Sequence, residues 1–271
     1  NFQKEFSRNI YKKKIIKVVK ELLTENSQTI KSLTKSYQNS YKKKQLSKYK
    51  QSTNYRVIGM GGSTLGTQTI YDFLKHKIKK KFVFVNNLKD GQKKIDKKDF
   101  INLIVSKSGN TIETIVNSNI FIKKNDKNIF ITENKKSYLY ILAEKLKSEI
   151  VHHNNFIGGR YSVLSEVGML PAELMGLNCN NFKQFNALIK NKKFFDSLVK
   201  NVEATFCLIK RKKFNSVIIN YDEKSESLFK WYQQLIAESL GKKKKGLLPV
   251  ISSMPKDNHS VMQLYLDGPR N

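Results

Sequence analysis

The chain has 271 residues, of which 39% are hydrophobic and 27% charged, and its formal net charge is +29. This length and composition are typical of a globular protein with one large or two medium α/β domains. Apolar runs stay well short of the roughly 18–20 residues that span a membrane, and the first eight residues lack the apolar stretch of a secretory signal. Cys179 and Cys207 have no CxxC spacing, which gives no zinc signature and suits a reducing compartment. We therefore expect a cytoplasmic protein without a membrane partner.

The basic charge raises the question of a nucleic-acid partner. Five of the 51 basic residues are arginine, which leaves 46 lysines, many of them in runs such as residues 12–14 and 242–245. Arginine is the side chain that best recognises bases and phosphates, and no nucleic-acid-binding motif accompanies the lysine runs. The composition therefore predicts a solvated lysine surface that attracts anionic substrates, and no nucleic-acid partner.

The first 50 residues predict N-terminal helices. Apolar residues at positions 15, 16, 18, 19, 22 and 23 recur at helical spacing, and an amphipathic stretch rich in Ser, Gln, Tyr and Lys follows them. No glycine or proline interrupts this segment before Gly59. We expect a pair of covering helices over residues 1–50.

From residue 55 onward, short apolar runs alternate with helical patterns. Strands are predicted at residues 55–60, 82–86, 102–106, 128–132 and 149–152, and helices between them at 64–77, 111–122 and 137–147. Strands that alternate with helices of this length indicate βαβ units and a parallel sheet. We assign this first domain to residues 51–170.

A second α/β unit is predicted after connecting helices at residues 171–199. Two strands are expected, at residues 216–220 and 247–251, with a helix over 227–240 between them. Two strands do not form a stable sheet alone. The fold class is therefore α/β, with two doubly wound parallel-sheet units, and residues 200–271 are expected to be the start of the second unit in a longer protein.

A glycine loop follows the first predicted strand. Gly59, Gly61, Gly62 and Gly66 resemble a dinucleotide fingerprint at first sight, but their spacing is not G-x-G-x-x-G, and the next strand ends in Asn86 instead of an acidic residue. The alternative is a loop whose backbone approaches an oxyanion, with Ser63 and Thr64 at a helix start. A tight strand-to-helix turn without a ligand is also compatible with the sequence.

A second loop of the same kind follows the third predicted strand, at residues 106–111. Three hydroxyls (Ser106, Ser108 and Thr111) and a glycine precede a helix start there, and Asn110 with Glu113 predicts an N-cap and capping box. The three hydroxyls would then be free to bind a phosphate beside the helix dipole. Such a loop alone is often an ordinary serine-rich turn, but two of them on adjacent parallel strands favour a phosphate site.

Three single residues are candidates for chemistry. Glu238 lies one helical turn after Gln234, and its apolar neighbours suggest a partly desolvated carboxylate with a raised pKa, suited to a general base. Arg160 follows Gly158-Gly159 and suggests a fixed planar charge. The alternatives without a catalytic role are an exposed helical glutamate for Glu238, a surface ion pair for Arg160 and a helix-start residue for His259.

Five motifs in order resemble the phosphoglucose isomerase family, over roughly residues 50–271. The family implies two sugar-isomerase (SIS) domains, a homodimer, and interconversion of glucose 6-phosphate and fructose 6-phosphate in glycolysis and gluconeogenesis, without metal or nucleotide. The motifs are Gly-x-Gly-Gly-Ser at 59–63, Ser-Lys-Ser-x-x-Thr-x-Glu-Thr at 106–114, Gly-Gly-Arg-Tyr-Ser-Val-Leu-Ser at 158–165, Gln-x-x-x-Glu-Ser-x-Gly-Lys at 234–242 and Asn-His-Ser-x-x-Gln-Leu at 258–264.

The resemblance implies a role for each matching residue. Glu238 would move the proton between C1 and C2 through an enediol, and Arg160 would stabilise the enediolate. His259 would reach the active site of the partner subunit and assist ring opening. Gln234 would lie beside the sugar, and the loops would hold the phosphate through Ser63, Thr64, Ser106, Lys107, Ser108, Gly109, Asn110 and Thr111.

Two features depart from the family pattern. Leu240 replaces a common asparagine, and the family's C-terminal helix with a catalytic lysine has no counterpart in these residues. We therefore expect little or no activity from residues 1–271 alone. The rival hypothesis is a non-catalytic SIS module that binds a sugar phosphate, which has no need for the Gln234–Glu238 pair or for His259.

Overall fold

The computed structural model describes residues 11–88, 99–123 and 125–269; residues 1–10 of the predicted N-terminal helices lie outside these ranges. Its strands are β1 (Asn54–Gly59), β2 (Lys81–Val85), β3 (Ile101–Val105), β4 (Asn128–Thr132), β5 (Glu149–His152), β6 (Asn215–Asn220) and β7 (Leu248–Ser253). Its helices are α1 (Lys12–Thr24), α2 (Gln28–Ser32), α3 (Leu65–Leu74), α4 (Ile112–Phe121), α5 (Tyr138–Lys145), α6 (Glu166–Leu174), α7 (Phe185–Lys190), α8 (Lys192–Lys210), α9 (Glu226–Leu240) and α10 (Met262–Asp267).

The first sheet has five parallel strands in the order β2-β1-β3-β4-β5. Every residue of β3 and β4 is buried, as expected of parallel strands that helices cover on both faces. The predicted α/β class with a parallel sheet is confirmed. The strand order changes direction between β1 and β3, so a crevice opens at their carboxyl ends, which is where open α/β sheets bind ligands.

The second sheet contains β6 and β7, which pair in parallel and are connected through α9. Helix α9 contacts both β7 and helix α3 of the first unit. The Ser227 hydroxyl on α9 donates to the Asp72 carboxylate on α3, and the Gln233 side chain donates to the Pro249 carbonyl at 2.7 Å. Helix α9 therefore fixes the second sheet against the first unit.

The N-terminal segment differs from the predicted pair of covering helices. Helix α1 is long, but α2 has five residues, and the stretch Lys43–Tyr49 forms a 3₁₀ helix. Helix α1 packs along α8 through an edge-to-face contact of Tyr11 with Phe206, whose ring centroids lie 4.8 Å apart. None of the helices in the described ranges is long and apolar enough to cross a membrane.

A buried polar cluster connects the N-terminal segment to the loop after β5. The Glu166 carboxylate is fully buried and accepts hydrogen bonds from the Tyr37 hydroxyl at 2.9 Å and the Asn154 amide at 2.7 Å. His153, 1% exposed, lies beside this cluster. Burial lowers the pKa of His153 below its ordinary value of 6.5, although the Glu166 carboxylate acts in the opposite direction.

His153 therefore contributes to the pH dependence of stability. The unfolded chain binds a proton at a higher pH than the folded protein does, so stability is highest above pH 6.5 and is lost as the pH falls through the lower pKa of the folded state. We expect His153→Gln to flatten the free energy of unfolding against pH between about pH 5 and 8. Urea titrations check this, with His76→Gln at an exposed histidine as the control. Equal slopes for both variants would contradict it.

Candidate active site

The two predicted phosphate loops lie side by side at the carboxyl end of the sheet. Gly59, the last residue of β1, pairs in register with Val105, the last residue of β3. A 3₁₀ turn, Gly61–Ser63, follows β1, and residues 106–111 follow β3. Each loop contains a glycine with positive φ, 52° at Gly61 and 66° at Gly109, so that both chains turn sharply before their helices begin.

The loop after β3 brings two hydroxyls together, of which that of Ser106 belongs to a buried residue (2% exposed). The Ser106 and Thr111 side-chain oxygens lie 3.0 Å apart, close enough for both to contact a single phosphate oxygen. The Ser108 hydroxyl is exposed and accepts from the Asn110 amide at 3.2 Å. At Gly109, a Cβ atom would lie 2.0 Å from the Ser137 hydroxyl, so the loop packs tightly on the start of α5.

The predicted N-cap at Asn110 is wrong. Helix α4 begins at Ile112 with Thr111 as the capping residue, and no side chain makes a capping hydrogen bond. The Asn110 side chain instead accepts from the Tyr138 amide at 2.9 Å. The close packing of Gly109 on Ser137 brings Asn110 over the first residues of α5, and the tertiary contact replaces the local one.

Two further predicted phosphate residues, Thr64 and Lys107, also have protein partners. Thr64 is fully buried, and its hydroxyl donates to the Gly61 carbonyl at 3.3 Å. The Lys107 ammonium donates to the Asn155 carbonyl at 2.8 Å and lies 3.5 Å from the Glu133 carboxylate. In this arrangement the Thr64 and Lys107 side chains stabilise the loops themselves. Ser63, in contrast, is partly exposed to solvent.

A close backbone contact places the Arg160 turn against the first loop. A Cβ atom on Gly62 would lie 2.4 Å from the carbonyl carbon of Gly159 and 2.5 Å from the backbone nitrogen of Arg160. Such distances leave no room for a side chain. Gly62 is therefore the residue that allows Arg160 to approach the crevice.

Arg160 and Glu238 meet at this point, although they come from different units. An Arg160 guanidinium nitrogen (Nη1) donates to Glu238 Oε1 at 2.8 Å. The Arg160 side chain is 15% exposed and that of Glu238 is 53% exposed. The expected desolvation of Glu238 is therefore wrong, because the residue lies in the last turn of α9, where Ala237 and Leu240 are exposed as well.

Gln234 connects the same helix to the first loop. Its amide nitrogen donates to Glu238 Oε2 at 3.2 Å, as their spacing predicted. A Cβ atom on Gly61 would lie 3.0 Å from that nitrogen, so α9 lies directly over the loop. Within the described ranges, the buried Oε1 atom of Gln234 accepts no hydrogen bond.

Three residues that the sequence analysis did not assign surround Arg160. Ser239 accepts a hydrogen bond from Arg160 Nε at 2.9 Å, and its hydroxyl lies 2.6 Å from that of Tyr161. The guanidinium carbon lies 4.5 Å from the Tyr161 ring centroid, and the Trp231 indole donates to the Arg160 carbonyl at 2.9 Å. Two sequence features could have pointed to these residues: Trp231 is the single tryptophan of the chain, and Ser239 directly follows Glu238.

The pKa of Tyr161 reflects this environment. Burial alone would raise it, but the hydrogen bonds with Ser239 and Arg160 and the positive charges of Arg160 and Lys242 lower the pKa overall. The Tyr161 phenol oxygen therefore lies among hydrogen bonds and positive charges that stabilise its deprotonated form.

His259 lies outside this hydrogen-bonded cluster. It is exposed at the end of the 3₁₀ turn Lys256–His259 after β7. The turn is held by the Asp257 carboxylate, which accepts from the Ser252 hydroxyl at 2.7 Å and the Ser253 amide at 2.8 Å. Across the described part of the chain, no hydrogen bond joins His259 to Arg160 or Glu238.

Comparison with known proteins identifies relatives. The family model described as phosphoglucose isomerase matches residues 7–247. The glucose-6-phosphate isomerase of Methanocaldococcus jannaschii is 35% identical over 246 residues, covering 83% of this chain and 61% of the relative. That of Fusobacterium nucleatum is 32% identical over 244 residues, with 79% and 54% covered. The chain thus spans only about three fifths or less of the length of these curated relatives.

Two solved structures share the fold. A hypothetical protein, TT0462 from Thermus thermophilus, superposes with a TM-score of 0.75 at 22% identity, covering 99% of this chain and 70% of that one. A glucose-6-phosphate isomerase from Chlamydia trachomatis has a TM-score of 0.61 at 20% identity, covering 83% and 50%. At these identities the comparison establishes the fold.

The close approach at Gly62 gives a stability test. We expect Gly62→Ala to lower the free energy of unfolding by about 1–3 kcal/mol, because the added methyl group forces the loop and the Arg160 turn apart. Gly159→Ala is the matched control, since a Cβ atom there would meet nothing within 4 Å, and it should change stability by less than about 0.5 kcal/mol. Denaturant unfolding compares the two, and an equal loss in both would show that the contact at Gly62 is not restrictive.

Proposed function

The chain belongs to the phosphoglucose isomerase family, and on that premise we propose that the complete protein interconverts glucose 6-phosphate and fructose 6-phosphate. The observation that carries the proposal is the contact of Arg160 with Glu238 at 2.8 Å, beside two hydroxyl-bearing loops at the β1/β3 crevice. A cation and a carboxylate at this distance suit a proton transfer in which negative charge develops on oxygen. The relatives named glucose-6-phosphate isomerase support the choice of substrate.

The proposed reaction moves one proton between neighbouring carbons. Glu238 removes the proton from C2 of the open-chain aldose, and the electrons of the C–H bond form the C1–C2 double bond of an enediolate. Arg160 stabilises the negative oxygen. Glu238 then returns the proton to C1, while a proton passes from O2 to O1, which gives the ketose without any external oxidant.

The substrate has to separate the Arg160–Glu238 pair. In the structure, Arg160 Nη1 binds one Glu238 oxygen and the Gln234 amide binds the other. Each Glu238 oxygen therefore accepts one hydrogen bond from the protein, and the bond from Arg160 occupies part of the carboxylate that would receive the C2 proton. A substrate oxygen that takes over the Arg160 contact releases the carboxylate for proton transfer, so binding and activation of the base are coupled.

The phosphate is proposed to lie between the two loops. The hydroxyls of Ser63, Ser106, Ser108 and Thr111, together with backbone amides at the starts of α3 and α4, can donate to its oxygens. The positive ends of both helices favour a dianion there. Thr64 and Lys107 act indirectly in this proposal, by holding the loops through the contacts described above.

Further parts of the proposal concern the assembly. We propose that His259 acts in ring opening at the active site of a partner subunit, which is consistent with its exposed position in the turn after β7. A homodimer with shared active sites follows from that role.

We also propose a division into domains at residues 51–170 and 200–271, with connecting helices at 171–199, and a cytoplasmic location. The free thiols of Cys179 and Cys207 suit a reducing compartment.

The assignment of Glu238 is tested by removing its basicity. In the complete protein, Glu238→Gln should retain sugar-phosphate binding and lose at least about 10²-fold in kcat, because the amide does not accept the C2 proton. Coupled kinetics measure the turnover, and exchange of the C2 proton with deuterium oxide measures the proton transfer directly.

Glu226→Gln is the matched control, because Glu226 lies on the same helix and pairs with Lys230. It should keep wild-type turnover. Normal C2 exchange in Glu238→Gln would remove Glu238 from the role of base. A wild-type protein that binds the sugar phosphates without turnover would instead identify a non-catalytic module.

A further inference from the structure

We propose that Ser239 is a positioning residue that sets the orientation of the Arg160 guanidinium for the isomerase reaction. The inference rests on the proposed function and deepens it. Ser239 does not have to touch the substrate. Its hydroxyl accepts a hydrogen bond from Nε, whereas Nη1 binds Glu238, and the bond to Nε fixes the plane in which the other nitrogens point.

Three contacts determine where the guanidinium lies. Ser239 Oγ accepts from Arg160 Nε at 2.9 Å, the Tyr161 ring lies 4.5 Å from the guanidinium carbon, and Trp231 holds the Arg160 carbonyl at 2.9 Å. The Trp231 indole fixes the backbone of Arg160, and packing on the Tyr161 ring fixes the height of the guanidinium above that ring. The hydrogen bond to Ser239 is the contact that fixes rotation of the plane above that ring.

The position of Ser239 in the chain adds to the argument. Ser239 directly follows Glu238 on α9, so one short stretch of helix holds both the carboxylate and the anchor for the arginine that opposes it. Any shift of α9 relative to the Arg160 turn then moves the base and the cation together. The 2.6 Å contact between the Ser239 and Tyr161 hydroxyls keeps the Ser239 oxygen directed at Arg160.

The same geometry predicts at which stage of the reaction Ser239 acts. Arg160 develops its strongest interaction when the substrate becomes an enediolate, so a misoriented guanidinium mainly weakens binding of the transition state. A loss in kcat with little change in KM is the kinetic result of such a defect. A residue that merely strengthens packing between α9 and the first unit would change thermal stability without this selective effect.

The test compares Ser239→Ala with Ser239→Thr in the complete protein. We expect Ser239→Ala to lower kcat about tenfold, equivalent to about 1.4 kcal/mol, with KM changed less than about twofold, and Ser239→Thr to restore most of the rate because it keeps the hydroxyl. A sugar-phosphate hydroxamate, whose anionic group imitates an enediolate, should lose affinity by the same factor as kcat/KM. The affinity for fructose 6-phosphate should stay nearly constant.

Two further variants complete the design. Ser227→Ala removes a different hydroxyl of α9 that also bridges to the first unit, through Asp72, and should change the melting temperature but not kcat. Tyr161→Phe removes only the phenol oxygen and should give a smaller loss of the same kind, which keeps the test available if Ser239→Ala does not fold. Unchanged kcat and hydroxamate affinity in a folded Ser239→Ala, or Tyr161→Phe in its place, would overturn the inference. An inactive wild-type protein would overturn the proposed function itself.

Discussion

The site depends on the contact between α9 and the first unit. Glu238 and Arg160 lie 78 residues apart in sequence, and neither approaches the two hydroxyl-bearing loops by local structure alone. Gly62 lets the Arg160 turn approach the first loop, and Gly61 leaves room for Gln234 of α9 above it. If the Arg160 turn and α9 lay farther from the first loop, the two hydroxyl-bearing loops would remain, but the Arg160–Glu238 pair would not lie beside them.

The electrostatics of the site follow from this arrangement. A half-exposed Glu238 carboxylate lies beside a nearly buried Arg160 guanidinium, and this ion pair is the contact that a substrate oxygen would exchange for its own. Around the pair, the protein supplies fixed dipoles: the Trp231 indole, the Ser239 and Tyr161 hydroxyls and the helix starts behind the two loops. Such dipoles need no reorganisation when charge moves in the reaction. The scattered lysines of the surface play a different part, since their positive charge attracts anions in general.

The strands and helices of the first unit could be predicted from the sequence because each is a short apolar run or a helical pattern with clear ends. Predicted strands 128–132 and 149–152 coincide with β4 and β5, and the boundaries of the other three strands of this unit differ by one residue. The spacing of Gln234 and Glu238 likewise determined that their side chains meet. The prediction failed where tertiary contacts decide the outcome. Asn110 contacts α5 instead of capping α4, and Glu238 is exposed together with Ala237 and Leu240 in the last turn of α9. The roles of Tyr161 and Ser239 depend on contacts across 78 residues, which no local pattern reveals.

The central claim is that a sugar phosphate binds in the crevice between β1 and β3 with its reacting carbons at the Arg160–Glu238 pair. A crystal structure of the complete protein with fructose 6-phosphate tests this most directly. We expect the phosphate between the loops that follow β1 and β3, an Arg160 nitrogen on a C1 or C2 oxygen, and the Glu238 carboxylate released from Arg160 and facing those carbons. A phosphate bound to the lysine surface, or an Arg160–Glu238 contact that stays at 2.8 Å with the sugar elsewhere, would contradict it.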